Sequence, residues 1–376
     1  MPKKLTDLTI HAFRQLQELT FRDCGSVNLL VGDNSSGKTS VLESIALFCR
    51  PLDPLELINT ARRREIKSSR ERLLDGIQWL FPQEATKPGE HYFHGSISFS
   101  GVGLLQSKVK ITYLGLLGDA VSDGGYEIYE QDDAEGMSSA DITDSRRGAF
   151  IHMACHAENS LSANESEWKD LEFELWEDER YVSRAAVDAP QLPVATISPV
   201  AHRVELIQTK QLSEAVLDNA KFSIIEAVRL IDDDIDNLEI VARSGISPTL
   251  WVHHKKAGFS PVSTLGDGTR RVLSLALQLH SIRGGVLLID ELETAIHKDG
   301  LGRVFKWLVK ACQFFDVQMF ATTHSLEAID ALLTAEIATP ADLVAFQLPE
   351  RGKTNVKRFD GDILENLRFE RGLDIR

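Results

Sequence analysis

The stretch LLVGDNSSGKTSVLESIAL, Leu29 to Leu47, constrains the fold of this chain more than any other, because its middle reads G-x-x-x-x-G-K-T from Gly32 to Thr39. Before it, the branched apolar run Val27 to Val31 predicts a buried parallel strand. After it, Val41, Leu42, Ile45 and Phe48 recur at helical spacing. Strand, glycine loop and helix in that order make a phosphate-binding loop. Gly32 and Gly37 allow backbone turns that aim successive N–H groups at phosphate oxygens, and the positive end of the helix adds to them. The expected nucleotide site is therefore Gly32, Asp33, Asn34, Ser35, Ser36, Gly37, Lys38, Thr39 and Ser40. Lys38 is expected on the β and γ phosphates and the Thr39 hydroxyl on magnesium, so ATP and Mg2+ are the expected ligands.

Two later stretches fit the same chemistry. In GGVLLIDELETAIH, the apolar run Val286 to Ile289 closes on Asp290 and Glu291. Two adjacent carboxylates at the end of a core strand suit a metal and a water: Asp290 to hold magnesium, Glu291 to orient and deprotonate the attacking water. In VQMFATTHS, a further apolar strand ends in Thr322, Thr323 and His324, at the edge where open parallel sheets gather ligands. His324 is expected to sense the γ-phosphate. Between the glycine loop and these stretches lies STLGDGTRRVLSLALQLH, a glycine turn opening a helix whose Val272, Leu275, Ala276 and Leu279 form one apolar face. Its start is a second anion-binding helix terminus without a second lysine. One triphosphate does not need two such cradles in one chain, whereas a head-to-tail pair of chains does.

In this order the pieces resemble the ABC-type ATPase head shared by SMC proteins, RecF-like repair proteins and the OLD group. The resemblance implies a P-loop NTPase fold of α/β class, a mixed sheet with flanking helices, here with an antiparallel β lobe and a short helical arm. It implies Walker A at Gly32 to Thr39, Walker B at Leu287 to Glu291, and a switch histidine at His324. It also implies a signature loop acting in trans, with Ser263, Gly266, Asp267, Gly268 and Arg270 as its residues. Phe13-Arg14 in the opening LTIHAFRQLQELTF stands where that family has an aromatic-basic pair. LGDGTRRVLSLAL, LLIDELETAIH and QMFATTHSLEAIDAL are more closely similar to stand-alone bacterial ATPases found beside a toprim nuclease in anti-phage systems. Two features depart from the pattern: no serine directly precedes a glycine pair in LGDGT, and only Gln78 and Gln83 stand as candidates for the Q-loop.

Between the motifs the chain divides, on this reading, into an N-terminal core part at 1–90, a β lobe at 91–192, a helical arm and return at 193–250, and a C-terminal core part at 251–376. GSISF, KVKITYLG and LEFELW alternate as antiparallel strands with one wet face do. LVAFQL and NVKRF are expected as edge strands, and the acidic, glycine- and serine-rich stretch from Gly118 to Arg147 as a loop. Six basic residues fall between Arg62 and Arg72, either a solvated helix face or a nucleic-acid contact. His152, Cys155 and His156 lack the spacing of a zinc site, and the four cysteines lack that of a disulfide framework. A net charge of −15 repels a polyanion over most of the surface, so DNA contact requires a local patch or a partner. No export signal or membrane span is legible, and the cytoplasm is the expected compartment. A homodimer or higher oligomer working through a separate effector, such as a toprim-type nuclease, is the leading expectation. A RecF-like DNA clamp and a non-hydrolysing scaffold are the alternatives.

Overall fold

The run that the sequence marks as buried, Val27–Val31, is a strand with all five residues buried, inside a six-stranded sheet. The structure is a computed structural model that describes residues 3–64, 73–83, 93–104, 106–119, 145–158, 168–177, 189–204, 209–243, 246–335, 342–350 and 352–375. Lys67, Arg70 and Arg72 of the basic segment, and most of the acidic stretch after Gly118, lie outside the described residues.

In chain order, β1 (Leu5–Phe13) and β2 (Leu16–Phe21) are joined by only two residues, which forces an antiparallel hairpin. β3 (Val27–Val31) leads through the glycine loop into α1 (Lys38–Cys49), followed by α2 (Pro54–Arg62) and α3 (Leu73–Gln78). Next come β4 (His94–Gly103), β5 (Gln106–Asp119), β6 (Ser145–Glu158), β7 (Trp168–Trp176) and β8 (Val194–Ile197). Three short helices, α4 (Ala201–Val204), α5 (Thr209–Leu217) and α6 (Lys221–Arg229), precede β9 (Ile235–Arg243), β10 (Ile246–His254) and β11 (Gly258–Pro261). The chain closes with α7 (Asp267–Ser281), β12 (Val286–Ile289), α8 (Lys298–Phe314), β13 (Gln318–Thr322), α9 (Leu326–Leu333), β14 (Leu343–Gln347), β15 (Lys357–Asp360) and α10 (Gly361–Glu365).

The chain forms two units: Met1–Asp7, Phe21–Leu42 and Leu192–Arg376 in one, Leu8–Thr20 and Glu43–Gln191 in the other. The first holds the sheet β15-β14-β3-β13-β12-β8, in which only β15 runs antiparallel to its neighbour. Parallel strands are buried on both faces, and the core here joins Leu29, Ile289 and Met319 to Val272 and Leu275 of α7 and Val304 and Phe305 of α8. LVAFQL, expected at an edge, is the interior strand β14, paired in parallel with β3. Its unbroken apolar run suits a strand covered on both faces, and only the partly polar β15 takes the edge. α5 and α6 put Leu212, Ala215, Ile224 and Val228 into the same core as α7 and are followed by the antiparallel sheet β11-β10-β9.

Two buried amides fasten this sheet at the end where β3 and β13 begin. Asn28 accepts from Gly25 N–H at 2.7 Å and donates to the Gly25 and Met319 carbonyls at 2.9 and 3.1 Å. Gln318 accepts from Leu5 N–H at 2.8 Å and donates to the Leu5 and Gly25 carbonyls at 2.8 and 2.7 Å. Each amide thus uses both N–H donors and its oxygen, which makes polar residues tolerable on core strands.

In the second unit, β4 to β7 form an antiparallel sheet with a buried side carrying Ile97, Phe99, Val109, Ile111 and Met153. The alternating β lobe expected from the sequence is present. Glu43 is wholly buried, taking a 2.9 Å bond from Arg14 and a bidentate pair from Arg64, 2.8 Å on each oxygen. Arg63 is bound to Glu56 at 2.9 Å. Two described cations of the basic segment are therefore held by carboxylates of their own unit. His152, Cys155 and His156 gather no metal-ligand set among the described residues, where only Asp232, Asp234 and His254 come close enough together. No helix among the described residues is long and apolar enough to cross a membrane. Gln318→Leu takes the Gln318 partner from the Leu5 N–H and carbonyl and removes one of the two donors to the Gly25 carbonyl, and is expected to destabilise the protein by about 2 kcal/mol, read as a lower urea midpoint.

Candidate functional site

β3 delivers the chain to Gly32 with φ 140°, and Gly37 follows at φ 95°, both in the region an L side chain avoids. A Cβ on Gly32 would also press on Ser36 Oγ at 3.1 Å and the Leu348 carbonyl at 3.2 Å. Asp33, Asn34, Ser35 and Ser36 form the turn between, and α1 begins at Lys38. The Lys38 ammonium donates to the Gly32 and Asp33 carbonyls at 2.7 and 2.8 Å, so it is fixed over the loop. Burial pulls its pKa below the ordinary lysine value, while Asp290, Asp33 and Glu291 act against that pull. Ser36 Oγ is buried without a hydrogen-bond partner. An orphan hydroxyl in a glycine loop at a helix N-terminus fits a phosphate oxygen.

The carboxylates arrive from the neighbouring strands. β12 and β13 are in parallel register, Ile289 opposite Ala321, so Asp290 and Thr322 follow at the same edge. Thr322, almost wholly buried, donates to Asp290 Oδ1 at 2.6 Å and accepts the Glu291 backbone N–H at 2.8 Å. The other Asp290 oxygen accepts the Thr39 hydroxyl at 3.0 Å. Glu291 has φ 50°, an uncommon conformation for a residue of its kind, and its Oε2 accepts the Thr294 hydroxyl at 2.8 Å. The structure thus brings Lys38, Thr39, Asp290 and Glu291 together. An acidic oxygen and a hydroxyl converging beside a phosphate cradle are the hard oxygen donors magnesium takes.

His324 is half-buried, and its backbone N–H donates to Glu293 Oε1 at 3.0 Å. Thr323 binds the other oxygen of Glu293 at 2.8 Å, so one carboxylate sets the turn carrying the histidine. The signature-loop residues meet other groups. Ser263 and Gly266 are exposed, Asp267 pairs with Arg203 at 2.8 Å, and Arg270 stands 3.9 Å from Asp267. A Cβ on Gly268 would meet the Ala295 carbonyl at 2.8 Å, so that glycine lets α7 approach the turn after β12. Gln83 donates to the Gln78 and Phe81 carbonyls at 2.9 and 2.8 Å, within its own unit.

Three supporting residues were not singled out from the sequence: Thr322, Glu293 and Arg271. Arg271 is fully buried and donates to the carbonyls of Ser198, of Asp290 at 3.1 Å and of Glu291 at 3.3 Å. It clamps the backbone that carries both carboxylates. A signal existed: Arg271 precedes Leu275 by four residues and so falls on the apolar stripe of α7, where a charge demands buried acceptors.

The family described as "AAA domain, putative AbiEii toxin, Type IV TA system" matches residues 124–330, more than half of the chain. The match takes in α7, the carboxylate pair and His324; the glycine loop lies before it and joins the site through Thr39. The chain is similar to the uncharacterized protein MJECL11 of Methanocaldococcus jannaschii, 41% identical over 69 residues, or 18% of this chain and 60% of that protein. It therefore spans about 60% of the length of the curated relative it matches. Among solved structures it is similar to an SMC head bound to the C-winged helix domain of ScpA, with 10% identity, 99% and 100% of the two chains covered and a TM-score of 0.48. The SMC head domain from Thermotoga maritima gives 11% identity, coverage of 95% and 99%, and a TM-score of 0.36.

Thr322→Val keeps the shape of β13 while removing the hydroxyl shared by Asp290 and Glu291. It is expected to weaken magnesium-dependent nucleotide binding about ten- to a hundredfold with folding intact by circular dichroism. Unchanged binding contradicts the positioning role.

Proposed function

The chain belongs to this AAA domain family, and on that premise we propose that it is a magnesium-dependent ATPase whose nucleotide-driven pairing with a second copy gates a partner effector. The observation that carries the reading is the 3.0 Å contact of Thr39 with Asp290, which puts the phosphate loop and the carboxylate pair in one place. Lys38 binds the β and γ phosphates from a position fixed by the loop carbonyls, and Ser36 with the loop N–H groups donates to phosphate oxygens. Magnesium, held through Thr39 and Asp290, neutralises phosphate charge when bound. Glu291 orients the attacking water and accepts its proton, with Thr294 steering one of its oxygens. His324, set by Glu293, reports the γ-phosphate to the turn before α9.

The start of α7 supports the pairing. Uncapped, it offers a second anion cradle, and a second copy supplies the triphosphate for it. The toxin–antitoxin system in the family's description supports a role in defence; that the output passes through an effector, with a toprim-type nuclease as its class, and that the compartment is the cytoplasm belong to the proposal. The clamp reading has less behind it, since Arg63 and Arg64 are engaged by Glu56 and Glu43.

Glu291→Gln removes the base and keeps the shape. Single-turnover hydrolysis is expected to slow by about a hundredfold or more, and sedimentation with Mg-ATP is expected to show an accumulated dimer. Equal decay of ATP in the two proteins contradicts hydrolysis by Glu291, and a lone chain under those conditions contradicts pairing.

A further inference from the structure

The three most exposed large apolar side chains among the described residues are Phe314, Leu217 and Phe222, at 82%, 80% and 68%. They stand at the end of α8, the end of α5 and the start of α6, all in one unit of the chain. Side-chain contacts draw the first two to one place. Asp218, next to Leu217, lies 3.3 Å from His280 and 3.6 Å from Arg283 at the end of α7. Arg283 covers the Phe315 ring at 5.3 Å, and Phe315 meets Phe314 edge-on at 5.0 Å. The ends of α5, α7 and α8 therefore meet in an apolar foot, with the Arg283 guanidinium between them. Water-exposed apolar groups gathered in one place mark a docking surface, as scattered ones do not.

α8 gives the foot a direction. Arg303, Lys306, Lys310 and Phe314 are exposed and follow one another by three, four and four residues, so they form a single ridge with steps of about 4.5–6 Å. The opposite face, with Val304, Phe305, Leu308 and Cys312, is in the core. The helix has one acid, Asp299, in its first turn beside His297. A row of cations running into exposed rings stands against a net charge of −15 for the whole chain. Its complement is an acidic helix with one apolar end. Carboxylates at three- and four-residue spacing face the cations, and large apolar side chains fill the foot. A duplex nucleic acid matches the cations but not the rings, and the surrounding negative charge repels it.

We propose that this foot and the basic ridge of α8 dock an acidic amphipathic helix of the effector protein. The assignment rests on the effector reading above for what the partner is, and adds where it binds and by what chemistry. The end of α7 leads into β12 and the end of α8 into β13, the two strands whose far ends deliver Asp290 and Thr322 to the nucleotide site. The Gly284 N–H donates to the Phe315 carbonyl at 2.9 Å, so the two approaches are fastened to each other beneath the foot. A helix held there lies at the entry ends of the strands, and it leaves the phosphate loop and the start of α7 open.

The probe is a fluorescein-labelled, lactam-stapled helical peptide, with glutamates spaced to meet Arg303, Lys306 and Lys310 and two leucines at the end that meets the foot. A peptide of the same composition with its leucines spread round the helix is the control. Anisotropy titration of the full chain is expected to show the probe binding at least about tenfold more tightly than the control. Lys306→Glu with Lys310→Glu, and separately Leu217→Ser with Phe314→Ser, are each expected to weaken the probe about tenfold. All four positions are exposed, so folding by circular dichroism and the ATPase rate are expected to hold. Equal binding of probe and control, or binding indifferent to either pair of substitutions, overturns the proposal. A duplex oligonucleotide that binds more tightly than the probe and is lost with the lysines overturns it in favour of nucleic acid. Self-association abolished by Leu217→Ser with Phe314→Ser overturns it in favour of a second copy. The titration is done without nucleotide, so a failure of hydrolysis or of pairing contradicts the reading above and not this one.

Discussion

A threonine hydroxyl between two carboxylate-bearing positions is the contact on which the site depends. Thr322 gives its proton to Asp290 and takes the backbone N–H of Glu291, while Asp290 receives Thr39 on its other oxygen. The Thr322 bond to the Glu291 N–H helps to hold that residue at its positive φ. The geometry exists because β3, β13 and β12 lie side by side, parallel and in register. Each strand spends its buried residues in the sheet and turns polar at the same level. Arg271 fixes the opposite side of the carboxylate backbone, so the pair is held between a hydroxyl and a guanidinium.

The same physical device, a helix N-terminus behind a glycine, serves twice with opposite dressing. At α1 the loop adds Lys38 and the buried Ser36 hydroxyl, which complete a cradle for polyphosphate. At α7 the first turn carries Asp267, and the cations around it come from α4 and from α7 itself. One terminus advertises its positive end and the other covers it.

Much of this was legible because it is written in short segments. The glycine loop, the apolar run ending in Asp290 and Glu291, and the run ending in His324 each carry their strand and their polar end within a dozen residues. What was not legible depends on which strands become neighbours. Thr322 looks like the end of any strand until β12 is laid beside it, and Glu293 is an unremarkable acid until β13 brings Thr323 and His324 within reach. The edge assignment of LVAFQL fails because β14 lies between β3 and β15, where its unbroken apolar run is covered. Likewise, spacing could put Arg63 on a helix face but could not reveal that Glu56 and Glu43 wait for it and for Arg64.

The central claim is that Thr39 and Asp290 together make one metal-dependent polyphosphate site. Calorimetric titration of ATP with and without magnesium, in the unaltered chain and in Asp290→Asn, tests it most directly. The account requires magnesium to tighten ATP binding in the unaltered chain and to lose most of that effect in the variant, while metal-free binding through Lys38 persists. Magnesium dependence that survives the loss of the Asp290 charge contradicts it.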